Sequence, residues 1–134
     1  TNYRNINIYS RPNDCGVDVY TRGIMLYEKA ICSFQLGLGV KTEGNLVISG
    51  TKGYVYVPSP WWKTDYFEIR YEDQNKNKKY FYKWDEPGLR YEIQEFVSCI
   101  VNHRYHSARL KPQESICMAG IMQQFHERKN FKEI

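Results

Sequence analysis

Between Ile6 and Trp84 the chain alternates apolar and polar positions with a period of two, in short runs broken by turn-forming clusters. Phe67, Ile69 and Tyr71 interleave with Tyr66, Glu68 and Arg70, and Tyr80, Tyr82 and Trp84 interleave with Lys79, Phe81 and Lys83. Cys32, Phe34, Leu36 and Leu38 do the same against Ser33, Gln35 and Gly37. Successive side chains of a strand point to opposite faces, so each run predicts a strand with one apolar and one mixed face. The predicted strands are Ile6–Tyr9, Val17–Tyr27, Ala30–Leu38, Gly44–Ser49, Tyr54–Val57, Tyr66–Tyr71 and Lys79–Trp84. Between them lie Arg11-Pro12-Asn13-Asp14, Glu28-Lys29, Gly50-Thr51-Lys52-Gly53, Pro58-Ser59-Pro60 and the polar stretch from Glu72 to Lys78. Strands joined by such short turns are antiparallel, because a parallel crossover needs about a dozen residues.

After Pro87-Gly88 the period changes. Ile93, Phe96, Val97 and Ile100 recur at helical spacing, which predicts a helix over Tyr91–Asn102 with Phe96 plugged onto the sheet. A second helix is predicted over Pro112–Glu127, with Pro112 in the first turn, where its missing N–H costs little. Its apolar stripe reads Met118, Ala119, Met122 and Phe125, with Ile121 beside it. Strands first and helices last imply a single α+β domain over 1–134: an open, mainly antiparallel sheet of about six strands with two C-terminal helices packed on one face. Two such helices do not cover that sheet, so its mixed face is expected to meet a second copy or another domain.

Length and composition fit this picture. The chain has 134 residues, 42% of them hydrophobic and 25% charged, as in a globular domain with its own core. Tyr accounts for 12 residues, a density that suits strands and half-wet surfaces. No run approaches the roughly 20 apolar residues that span a bilayer, and no partner membrane is expected. The formal charge of +4 permits an anionic partner without requiring one. Cys15, Cys32, Cys99 and Cys117 form no CxxC pair. They read as reduced thiols of a cytoplasmic protein, three of them (Cys32, Cys99 and Cys117) small hydrophobes in apolar runs.

Candidate chemistry is sparse. Cys99, His103 and His106 fall at spacings of four and three, which a helix brings to one side, but no fourth metal ligand accompanies them. A Cys99 nucleophile needs exposure and a lowered pKa, and Cys99 lies between Val97 and Ile100. Gly50-Thr51-Lys52-Gly53 falls between two strands instead of opening a helix, so it is a hairpin and not a phosphate loop. Gly37-Leu38-Gly39 lacks the third glycine of a dinucleotide fingerprint. The Asn75–Lys79 run beside Tyr80 and Tyr82 hints at a nucleic-acid surface, but Glu72, Asp73 and Asp85 cancel much of its field. No nucleic-acid partner is expected. On residues alone the chain looks catalytically empty.

The segment from Ile48 to Lys63, with its Gly50–Gly53 turn, Pro58 and Trp61-Trp62, resembles the hairpin-strand-proline-tryptophan segment of the Gfo/Idh/MocA oxidoreductases, the glucose–fructose oxidoreductase and inositol dehydrogenase type. Gly88-Leu89-Arg90-Tyr91-Glu92-Ile93-Gln94-Glu95-Phe96 is similar to the family's G-x-x-Y-E-x-x-x-F start of a helix. Leu110-Lys111-Pro112-Gln113-Glu114-Ser115 is similar to the approach to its last helix, with Lys111 where the family often has Thr. The resemblance runs from about Gly16 onward, in matching order.

This resemblance implies the C-terminal part of an enzyme whose N-terminal Rossmann domain, absent from this chain, binds NAD or NADP. The intact enzyme would move a hydride between that cofactor and a sugar, cyclitol or related alcohol. The chain itself is expected to hold no catalytic, cofactor-binding or metal-binding residue and to be inactive alone. Lys41 and Thr42, and Arg90 and Tyr91, are the residues expected near a polyol substrate, by hydrogen bonding. The open sheet face is expected to form a homo-oligomer. The alternative is an independent module whose aromatic sheet face binds carbohydrate or another protein.

Overall fold

In the computed structural model, residues 3–82 and 88–134 are described. They hold two four-stranded sheets and two helices, an α+β protein. The chain divides into two compact units, one of residues 1–42 with 92–134 and one of residues 43–91.

In the first unit, β1 (Asn5–Pro12), β2 (Asp18–Leu26), β3 (Ile31–Gly37) and β8 (Phe131–Glu133) form a sheet ordered β3-β2-β1-β8. The β1–β2 turn is built by Asn13, whose side-chain oxygen accepts from the amides of Cys15 and Val17 at 3.0 and 2.9 Å. Gly16 takes the positive φ of 77° that the turn requires. Alternation along β1 puts Ile6, Ile8 and Ser10 on one face, all buried, and Asn5, Asn7, Tyr9 and Arg11 on the other. Ile6, Ile8 and Met25 make the core, ringed by Phe34, Ile121, Phe125 and Phe131. Each such aliphatic burial stabilises by about 1.5–3 kcal/mol. Gly23 sits opposite Phe34 in register, and the Phe34 ring lies where a Cβ would project.

Helix α2 (Pro112–His126) supplies Ile121 and Phe125 to that core. Its inward residues are Cys117, Gly120, Ile121, Gln124 and Phe125, while Met118 and Met122 point to solvent. The stripe is thus rotated from the expected one, because Gln124 is held inward by donating to the Tyr3 hydroxyl at 2.7 Å. Helix α1 (Leu89–Val101) has no buried residue, and Phe96 is 65% exposed. The expected plugging of Phe96 onto a sheet is therefore not seen. Cys32, expected inside, is exposed on the outermost strand β3.

In the second unit, β4 (Leu46–Gly50), β5 (Gly53–Val57), β6 (Tyr66–Tyr71) and β7 (Lys78–Phe81) form an antiparallel meander. Gly53 packs its α-carbon against the Arg70 carbonyl, a close approach that no side chain permits. The expected strand end at Lys83 and Trp84, and Pro87 ahead of α1, lie outside the described residues.

The α+β class and the antiparallel hairpins are as the sequence predicts, but one sheet of about six strands is replaced by two sheets of four. After β3 the chain curls back on β2, with the amides of Leu38 and Gly39 both donating to the Val19 carbonyl, so β3 is not followed by a paired β4. The pattern also omits β8, which pairs parallel to β1.

Candidate functional site

One face of the β4–β7 sheet carries a preassembled set of charges and rings. Register places Tyr56, Glu68 and Lys79 side by side across β5, β6 and β7, with Tyr54 opposite Arg70 and Tyr66 opposite Phe81. Arg70 donates from Nε to Glu68 Oε2 at 2.7 Å and meets the same oxygen from Nη2 at 2.6 Å. Lys79 Nζ approaches Glu68 Oε1 at 3.7 Å, so one carboxylate holds two cations. The Arg70 hydrogen bond, helped by Lys79, keeps the Glu68 carboxyl below the usual range. Hydrogen bonds to the Tyr54 hydroxyl and to Glu68 push the Arg70 guanidinium further up.

The rings of this face are already occupied. The Arg70 guanidinium lies 4.4 Å from the Tyr56 ring centroid, and Lys79 Nζ lies 3.5 Å from that of Tyr66. A cation over a π face takes the position a sugar ring would need to stack. The arrangement therefore suits a protein surface rich in Tyr and Arg better than a carbohydrate platform. Trp61 and Trp62 meet edge to face at 6.0 Å and are half-exposed at the strand end.

The substrate-facing candidates fall in two places. Lys41 is exposed and Thr42 half-buried in the coil that ends the first stretch of unit one. Arg90 and Tyr91 belong to the second unit, in the first turn of α1. These two do come together, with Arg90 Nη2 donating to the Tyr91 hydroxyl at 3.4 Å and the guanidinium 5.2 Å from its ring.

Two polar clusters in the first unit escape sequence reading. Buried Ser10 donates to Asp18 Oδ1 at 2.7 Å and shares a 2.8 Å hydrogen bond with Thr21, and Arg128 reaches Asp18 Oδ2 at 3.0 Å. Burial works against ionisation of Asp18, but the hydrogen bonds from Arg128 and Ser10 outweigh it and hold the carboxyl below its usual value. Around α1, Glu95 accepts from the Ser107 hydroxyl at 2.8 Å and faces Arg104 and Arg109 at 3.5 and 3.6 Å. The Ser107 hydrogen bond is the main reason its carboxyl too is held low. Partners separated by 110 residues leave no periodic or motif signal to find. Cys99 is half-buried with Sγ 3.8 Å from Glu95 Oε1, and His103 lies past the helix end with φ of 50°. Among the described residues, no three metal-ligating side chains gather.

Gly37-Leu38-Gly39 leads into bends and not into a helix, and Gly50 and Gly53 close a hairpin. Among the described residues, no helix is long and apolar enough to cross a membrane. No protein-family model matches the chain, and no curated protein matches it.

Proposed function

We propose that this chain is the C-terminal α+β domain of an NAD(P)-dependent oxidoreductase resembling the Gfo/Idh/MocA enzymes. In this reading the intact cytoplasmic enzyme moves a hydride between NAD or NADP and a sugar, cyclitol or related alcohol. An N-terminal Rossmann domain holds the dinucleotide. In the same reading Lys41 and Thr42 of the first unit and Arg90 and Tyr91 of the second lie near the polyol substrate, and the chain supplies an assembly surface for a homo-oligomer.

One observation carries the reading: each of the family-like motifs falls at an element boundary. The Gly50–Gly53 turn joins β4 to β5, β5 ends just before Pro58, α1 begins beside Gly88, and α2 begins at Pro112. Lys111 has no hydroxyl to cap the first turn as Thr would, and the reciprocal half of the cap remains, the Lys111 amide donating to Glu114 Oε2 at 2.9 Å.

The test has two parts. The reading frame upstream of Thr1 should encode a G-x-G-x-x-G fingerprint and an E-K-P segment. The full-length protein, given a panel of polyols, should produce reduced NAD or NADP, with Arg90→Ala raising KM more than it lowers kcat. A reading frame without the fingerprint sinks the proposal, as does full-length protein inactive across the panel.

A further inference from the structure

The uncovered face of the β3-β2-β1-β8 sheet carries charge of one sign only. Register sets Gln35, Arg22, Tyr9 and Lys132 in one row across the four strands. Arg11 lies two residues along β1 on the same side, with Tyr20 opposite it. No Asp or Glu falls on this face, because Asp18 turns instead to Ser10 on the buried side. Elsewhere in the described structure Arg70, Arg104, Arg109 and Arg128 each meet a carboxylate. Arg11, Arg22 and Lys132 meet none. Neighbouring strands are about 4.8 Å apart, so Arg22 and Lys132 bracket Tyr9 from roughly 10 Å across, within reach of one small ligand between them.

A hollow of about 300 Å³ opens on the Lys132 side of Tyr9, lined by Asn7, Tyr9, Arg128, Asn130 and Lys132 among others, with Arg22 beyond its lining across Tyr9. Its polar groups include two donor-only cations, Lys132 and Arg128, the latter paired with Asp18, beside a phenol and carboxamides that can donate. Asn130 is fixed in place by donating to Asn5 Oδ1 at 3.1 Å.

We propose that this face is a binding site for a phosphate monoester, seated over Tyr9 between Arg22 and Lys132. The guanidinium supplies a planar fork for two phosphate oxygens and the ammonium a point charge for the third. Like-charged side chains with no counter-charge repel one another, and a dianion converts that repulsion into attraction. The same argument excludes a second copy docking here, since it would set three cations against three. A nucleic-acid strand is disfavoured because the hollow is the size of a small-molecule pocket, and because the Tyr20 hydroxyl is tied to Gln35 at 3.4 Å.

The site is tested by following backbone amide shifts of the chain during titration with inorganic phosphate, a hexose 6-phosphate, the unphosphorylated hexose and a short oligouridylate. Saturable shifts centred on Tyr9 are expected with both phosphates and not with the bare hexose. Tighter binding of the hexose phosphate identifies an organic monoester as the ligand, and equal binding identifies the phosphate group alone. Arg22→Gln and Lys132→Gln, both exposed, should each weaken binding about tenfold. Lys78→Gln, in the β6–β7 hairpin of the second unit, should leave it unchanged. No saturation with either phosphate, equal loss in Lys78→Gln, or binding confined to the oligouridylate would each overturn the proposal.

Discussion

At the scale of single residues, the Asp18 cluster ties the chain's two ends together. Arg128 stacks over Phe131 at 4.1 Å while pairing with Asp18, so it joins the turn ahead of β8 to the start of β2. Ser10 is fully buried, and its hydroxyl is satisfied by Asp18, Thr21 and the Tyr20 carbonyl together. Asp18→Ala should therefore cost roughly 1–2 kcal/mol, allowing for the partial exposure of Arg128. The sign of its pH dependence follows from the lowered carboxyl. An unfolded Asp titrates near about 3.9, and the folded one lower. The contribution is full above that unfolded value and is lost as pH falls through the folded one. Urea melts should show wild type and Asp18→Ala differing at pH 7 and converging toward pH 2. A constant difference across that range would mean that packing alone explains the loss.

At the scale of elements, local pattern and long-range partnership separate cleanly. All seven expected strands and both helices occur, because hairpin periodicity and turn chemistry act within a few residues. Strand β8 was illegible: it is three residues long, follows positive-φ Arg128 and Asn130, and exists only through its pairing with distant β1. The apolar pattern points to a different face of α2 than the structure turns inward, because a polar residue, Gln124, belongs to that face and two methionines do not. The substrate-facing candidates rest on the family resemblance, and only the Arg90–Tyr91 contact among them was a local matter that adjacency makes readable. The packing of the two helices gives a direct comparison. Phe125 contacts Phe131 at a centroid distance of 5.7 Å and joins the core, whereas Phe96 faces solvent. Phe125→Ala should cost about 2–3 kcal/mol, below the full value for a buried ring because Phe125 is only half-buried. Phe96→Ala should change stability by less than about 0.5 kcal/mol in the isolated chain. Denaturant melts of both variants decide it. A larger loss at Phe96 than at Phe125 would reverse the assignment of the packed helix.

At the scale of the whole molecule, a number of large apolar side chains are exposed across the described residues. Leu38, Phe81 and Val101 are each at least 70% exposed, and the stripe of α1 adds Ile93, Phe96, Val97 and Ile100. Exposed apolar side chains gathered into a patch are a common feature of association surfaces, and here they belong to two units, Phe81 to the second and the others to the first. Two faces are available for a second copy, and their charges differ. The sheet bearing Arg11, Arg22 and Lys132 repels itself, while the face bearing Glu68, Arg70 and Lys79 holds both signs among tyrosines. A two-fold axis through such a face would let each Glu68 face a cation of a second copy. Light scattering over a concentration series should therefore show a dimer that dissociates on dilution. Arg70→Glu replaces the central attraction with repulsion between carboxylates, and should raise the midpoint concentration at least about tenfold, equivalent to about 1.4 kcal/mol. Lys52→Glu, in the β4–β5 turn, serves as the control of equal charge change and should leave the midpoint within about twofold. A monomer up to about 1 mM, where an association worth only about 4 kcal/mol would already be visible, removes the second copy from this face. An equal shift in both variants would instead trace the association to net charge and not to the paired face.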